Sequence, residues 1–385
     1  MFSTEFQILI ECCKIRLLQA PEKKLIQLLS NNQINWVRLQ QMAAFHTIRP
    51  VVYDALKTLD SSIIDADSLA QLSNFVKIRS VHTIFLSQEL RRIEDLFSKN
   101  NINAIAFKGV TWNNLFYKRS FREGADIDFL IEKKDVFRAF HLLIEDGYLV
   151  KTDDAHEYQP PELIKALYEF GQIEVTLSKK NIYNATIALD FHWDLLIQAQ
   201  NYHFSVDELF ANHLNKYEKL LLIIIIHNGK REAWTKLKYI CDLLLFVHLY
   251  GQEIDWDAFI AKTEKYNLKK CLLMGLSLVN IFLPVKDTIH FSTPLEAPPE
   301  LNIKFWEKAS YYEFNVPARI SFVRLIFKYH ESISESFYYC INYIRYLSYP
   351  NPREKRLFTF PKERTLLNLG SKVLSYFYFN SFIKK

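Results

Sequence analysis

Asp126-Ile127-Asp128-Phe129-Leu130-Ile131 reads as a strand with one face in a core and the other carrying two carboxylates. Side chains alternate along a strand, so Asp126 and Asp128 project together while Ile127, Phe129 and Ile131 enter the interior. Two acids held side by side repel unless a cation neutralises them. A fold that builds this strand needs a hydrophobic layer under one face and a polar cleft over the other, and the neighbouring sequence reads accordingly. Ile102–Phe107 is a short apolar run entered from a polar stretch, and Thr111–Tyr117 has room for a helical turn or two. Asp135–Glu145 is amphipathic through Val136, Phe140, Leu143 and Ile144, with Gly147 placed to cap its C-terminus. Gln172–Leu177, in which Ile173, Val175 and Leu177 alternate, and Thr186–Trp193 are two further strand candidates.

Helical periodicity surrounds this segment. Leu69, Leu72, Phe75, Val76, Val81, Phe85, Leu90, Ile93, Leu96 and Phe97 recur at spacings near three and four, which predicts a long amphipathic helix. Shorter helical pieces precede it, interrupted around Arg49–Pro50. The helical period returns in Leu220–His227, Trp234–Tyr250 and Leu268–Phe282, and an aromatic-rich, helical C-terminal stretch follows a connection at Pro294–Pro299. The expected class is α+β: a small mixed β-sheet core in residues 96–196, flanked by helical regions at 1–95 and 197–385. No internal repeat of fixed period is present.

Composition excludes several classes. With 49% hydrophobic and 24% charged residues, 8 Gly and 12 Pro in 385, the chain is globular rather than disordered. A net charge of +5, with Lys and Arg scattered among acids, gives no broad basic face, so DNA is not an expected partner. Cys12, Cys13, Cys241, Cys271 and Cys340 have neither zinc nor disulfide spacing and read as reduced core residues in a cytoplasmic protein. The start lacks the basic and cleavage features of a signal peptide, and the apolar runs Leu220–Ile226 and Cys271–Val285 are shorter than the roughly 20 residues a membrane-spanning helix needs.

Chemistry concentrates in three places: Lys108-Gly109, Arg122 with Asp126 and Asp128, and Asp190-Phe191-His192-Trp193. Asp190, on another apolar strand, is placed to complete a three-carboxylate set, with Asp194 as the rival acid if that strand runs further. Hard oxygen ligands suit Mg²⁺, and three carboxylates holding two ions roughly 3.5–4 Å apart would favour in-line phosphoryl displacement. His192 is a ligand neighbour or a core imidazole. Arg122 either touches a triphosphate or pairs with Glu123 or Asp126. His227 and Asp242 either face the cleft or hold their helices, and the Phe- and Tyr-rich tail from Phe322 to Phe382 is core, subunit interface or stacking surface. No GxGxxG, Walker loop, GxSxG or HExxH motif competes.

These pieces resemble the DNA polymerase beta-like nucleotidyltransferase superfamily, with its glycine turn, Asp-hydrophobic-Asp strand and third acid on a neighbouring strand. More closely, the chain is similar to a bacterial family of uncharacterised nucleotidyltransferases. Where the superfamily turn pairs glycine with glycine or serine, lysine precedes Gly109 here, as in the closer family. Weaker echoes are Trp36, His46, His227, Trp234, Asp242, Tyr349-Pro350 and Phe360-Pro361. The resemblance implies transfer of a nucleoside monophosphate from a nucleoside triphosphate to a hydroxyl on an unknown acceptor (small molecule, protein or RNA), releasing pyrophosphate. Asp126, Asp128 and Asp190 would be the catalytic metal ligands, and Lys108, Gly109 and Arg122 would position the triphosphate. The alternative is a catalytically inactive nucleotide-binding or scaffold protein of the same fold.

Overall fold

The computed structural model describes residues 2–117, 122–150, 164–165, 167–168, 172–196, 204–308, 316–348, 360 and 364–383. Five helices come first: α1 Thr4–Leu18, α2 Lys23–Asn31, α3 Trp36–Phe45, α4 Arg49–Leu56 and α5 Ala66–Lys99. Then follow β1 Ala104–Phe107, α6 Gly109–Trp112, β2 Asp126–Ile131, α7 Val136–Glu145, β3 Leu149–Val150, β4 Glu174–Lys180 and β5 Thr186–His192. The remaining helices are α8 Lys216–Ile224, α9 Leu237–Tyr250, α10 Trp256–Lys265, α11 Lys269–Val279, the short α12 Val285–Thr288, α13 Glu300–Lys308, α14 Val316–Lys328, α15 Ile333–Leu347 and α16 Thr365–Ile383. This is the α+β architecture expected from the sequence. Two compact units result, one of residues 1–92, 107–127 and 211–331, the other of 93–106, 128–210 and 332–385.

The first unit is helical, and local chemistry sets its helix ends. Ser3 and Asn35 cap α1 and α3 by accepting backbone N–H groups, and Asn215 with Glu218 closes a reciprocal capping box on α8. The break expected around Arg49–Pro50 falls between Phe45 and Arg49, and Pro50 sits in the first turn of α4, where a missing N–H costs nothing. α1 and α9 are covered on nearly every side and form the interior; Phe6, Ile8, Leu9, Leu243, Leu244 and Phe246 have no exposed surface. After α8 the backbone widens into a π-turn over Ile225–Arg231, where the sequence predicts plain helix to His227.

The second unit holds a five-stranded sheet of order β1-β2-β5-β4-β3, whose β2 begins on Asp126 and Ile127 of the first unit. β3–β4 and β4–β5 pair antiparallel, with Glu174 opposite His192, Thr176 opposite Asp190 and Leu177 opposite Leu189. One face is the core: Phe129 meets Phe97 from the end of α5 edge-on at 5.2 Å, and Phe191 meets Phe140 of α7 likewise at 6.0 Å. Gly147, at φ +90°, ends α7 as expected, with the Tyr148 N–H returning to the Leu143 carbonyl at 2.9 Å.

Some expectations are corrected. In the α5 stripe Leu72, Leu90, Ile93 and Phe97 are buried, but Val81 is exposed, because the apolar period there has no partner covering it among the described residues. Cys12, Cys13, Cys241 and Cys271 are buried thiols outside any disulfide, whereas Cys340 is exposed on α15. β3 is too short to leave a pattern and went unpredicted. Tyr349, Pro350 and Pro361 lie outside the described residues. No helix among the described residues is long and apolar enough to cross a membrane.

Candidate active site

Strand alternation and register build the site on the sheet face opposite Phe129 and Phe191. β2 carries Asp126 at its start and Asp128 two residues on; β5 carries Asp190 and His192; β4 carries Thr176 and Glu174 beside them. Ligand atoms of Asp128, Asp190 and His192 all lie within 4.8 Å of one another. Asp128 and His192 are almost fully buried and Asp190 is half-buried. His192 Nε2 is 3.1 Å from Asp128 Oδ1, and its Nδ1 is 2.8 Å from Glu174 Oε2, an ion-pair distance that lacks hydrogen-bond alignment. Thr176 donates its hydroxyl to Asp190 Oδ1 at 2.7 Å. Two carboxylates and an imidazole converging at this spacing are a donor set for a divalent cation, and their charge is otherwise costly to bury.

Asp194, the rival acid, lies past the end of β5. It accepts the Leu195 N–H at 2.8 Å and faces Lys133 at 3.6 Å. Burial pushes its carboxyl above the usual range, with Lys133 opposing.

The approach to β2 is built in the first unit. Lys108 turns the chain at φ +57°, a left-handed conformation unusual for lysine, and Gly109 follows at φ +36°. A Cβ on Gly124 would sit 3.1 Å from the Gly109 Cα, so the two segments pass each other with little room for a side chain at 124. Three helices hold the segment before Asp126. Arg122 forms a two-pronged pair with Asp242 of α9, Nε to Oδ1 at 2.8 Å and Nη2 to Oδ2 at 3.1 Å. Arg49 of α4 grips the Glu123 carboxylate through its backbone N–H and guanidinium, and Arg79 of α5 donates to the Gly124 carbonyl. Tyr117 and Asn228 complete the shell of Asp242 at 2.9 and 3.1 Å.

Sequence reasoning pairs Arg122 with Glu123, Asp126 or a triphosphate; its buried partner is Asp242, a residue 120 positions away that no local spacing reveals. Asp242 and, through Asn228, His227 therefore belong to this buried network. Two further residues escaped notice. Glu174 is the polar alternate of the Ile173, Val175, Leu177 strand, a signal that gains meaning only from the β4–β5 register. Lys238, in the first turn of α9, has its ammonium pushed down to about 8 by burial, then by Arg122 and Lys236, against the pull of Asp242 and Asp126.

A protein-family model described as "Uncharacterised nucleotidyltransferase" matches residues 32–284, more than half of the 385-residue chain. The chain belongs to this family. No curated protein and no solved structure matches it. The nucleotidyltransferase match takes in β2, β4 and β5, the Lys108-Gly109 turn, and the Arg122–Asp242 pair. The chain is accordingly an enzyme of nucleotidyl transfer, and its buried Asp128–Asp190–His192 cluster is a possible metal site on the sheet that the family model spans.

Proposed function

We propose that this nucleotidyltransferase is of the DNA polymerase beta-like kind, transferring a nucleoside monophosphate from a nucleoside triphosphate to an acceptor hydroxyl in a Mg²⁺-dependent reaction. The observation that carries the reading is the convergence of Asp128, Asp190 and His192 on one sheet face of a chain in this family. Bound divalent cations, two on this reading, would neutralise the triphosphate and stabilise the attacking and leaving oxygens. Asp126 and Asp128, alternating on β2, would hold both ions, and Asp190 would hold one and take the proton of the acceptor hydroxyl. The freed oxygen forms a bond to the α-phosphorus as the bond to the β-phosphate bridge breaks, and pyrophosphate leaves with the electron pair. Thr176, donating to Asp190 Oδ1, keeps that carboxylate oriented.

Lys108 and Gly109 would cradle the triphosphate by charge and close backbone approach. Arg122, four residues before Asp126, would position the triphosphate site indirectly, its fork on Asp242 fixing the lead-in to β2. The acceptor is a small molecule, protein or RNA, and the modest net charge of +5 speaks against a long nucleic acid. Cytoplasmic residence in a bacterium completes the reading, the reducing compartment being supported by four buried thiols outside any disulfide.

The test is label transfer and pyrophosphate release from each α-labelled triphosphate with Mg²⁺, comparing wild type with the Asp126→Ala/Asp128→Ala double variant. Transfer by wild type alone supports the assignment. Equal transfer by both proteins would overturn it, and a folded wild type that is silent with all triphosphates and cell extracts would favour the inactive, nucleotide-binding alternative.

A further inference from the structure

We propose that His192 is itself a ligand of the site's divalent cation, through Nε2, and that this nitrogen makes the site select Mn²⁺ over Mg²⁺. The inference rests on the metal-dependent reading of the site and adds a ligand that a three-carboxylate scheme lacks. Register alone puts His192 on the acid face: it follows Asp190 by two residues on β5 and stands across from Glu174 on β4. The imidazole is fully buried, yet it points at two carboxylates rather than into the apolar layer beneath the sheet.

Geometry favours ligation. Two neighbouring ligands of an octahedral ion with bonds of about 2.1 Å are about 3.0 Å apart. His192 Nε2 and Asp128 Oδ1 are 3.1 Å apart, and Asp190 offers a third atom within the same 4.8 Å cluster. On the far side of the ring, Glu174 Oε2 lies 2.8 Å from Nδ1. Nε2 is the nitrogen that hydrogen-bonds the Asp128 carboxylate in the structure; a cation entering between them would take the place of that proton and leave the hydrogen of the neutral ring on Nδ1, facing the Glu174 carboxylate. Carboxylate, imidazole and metal in line is the arrangement by which outer partners orient a ligating histidine. A nitrogen donor strengthens binding of transition-metal ions, whereas Mg²⁺ is served best by oxygen.

Pulsed electron paramagnetic resonance of Mn²⁺ bound to the full-length protein tests this without reference to turnover. A directly coordinated ¹⁴N signal is expected in wild type and lost in His192→Gln. Mn²⁺ should bind wild type at least about tenfold more tightly than Mg²⁺, and that preference should shrink about tenfold in the variant. Glu174→Gln should keep the ¹⁴N signal and weaken Mn²⁺ by roughly 10–100-fold, the usual cost of removing such an outer partner. Tightly bound Mn²⁺ without nitrogen coupling in wild type overturns the ligand assignment and leaves the carboxylate site standing. No Mn²⁺ binding in wild type overturns both. Because the decisive signal is read in wild type, and Glu174 is partly exposed, the outcome does not hang on whether His192→Gln folds.

Discussion

Asp128 is the residue on which the chemistry turns: it is buried, it sits on the cluster face of β2, and His192 approaches one of its oxygens. Asp128→Asn should leave the fold intact, since the amide is nearly isosteric, and lower nucleotidyl transfer by at least about 10³-fold, equivalent to roughly 4 kcal/mol of transition-state stabilisation. Steady-state rates with a saturating triphosphate would check this, and near-normal turnover would remove Asp128 from the metal site. Arg122 and Asp242 make a different claim. Both side chains are essentially solvent-free, so removing one partner leaves an uncompensated charge. Asp242→Ala is expected to cost about 3–5 kcal/mol in urea unfolding, far more than an exposed ion pair would. A loss below about 1 kcal/mol would mean that the pair is replaced by water.

At the scale of elements, His46 joins three helices. It ends α3, its Nδ1 accepts the Leu237 N–H of α9 at 3.2 Å, and its Nε2 donates to the Trp306 carbonyl of α13 at 3.1 Å. That pattern needs the neutral ring, and burial pushes its pKa from 6.5 to about 3, against the pull of the Trp306 carbonyl. Between those values the unfolded chain binds the proton and the folded one does not. Stability is therefore level above about pH 6.5 and falls by up to about 1.4 kcal/mol per pH unit below it, on account of this group. Urea midpoints from pH 7 to 4.5 should show a steeper decline in wild type than in His46→Gln; parallel curves would remove His46 as the cause. α11 supplies a packing counterpart. A methyl on Gly275 would lie 2.7 Å from the Trp234 ring and 2.9 Å from Leu243, so Gly275→Ala should lose about 1–3 kcal/mol despite the better helix former. Thermal melts of that variant would show a gain instead if the tryptophan moves freely aside.

For the molecule as a whole, each of the two units is assembled from three stretches of chain. A cation bound to the folded cluster and absent from the unfolded chain must raise the melting temperature. At a free ion concentration 100 times the dissociation constant the gain is about 2.7 kcal/mol. Scanning calorimetry with Mg²⁺ or Mn²⁺ against a chelator should show that shift in wild type and not in Asp128→Asn. An equal shift in both would point to ions bound elsewhere.

Periodicity made much of this readable in advance. The Asp126–Ile131 strand and α7 with its Gly147 cap follow from alternation and capping, which are properties of neighbouring residues, whereas the cluster joins Asp128 to Asp190 and His192 and does not include Asp126. The class followed too, because a short strand-rich segment between long helical ones has few ways to bury its faces. Tertiary structure alone decided the partners: Asp242 for Arg122, Glu174 and Asp128 for His192, Arg49 and Arg79 for the lead-in to β2. Each joins residues that only the order β1-β2-β5-β4-β3 or helix packing brings together, across separations that no local pattern encodes. A sequence carries the preference of each segment for helix or strand, but which charge neutralises which is set by the field inside the folded chain.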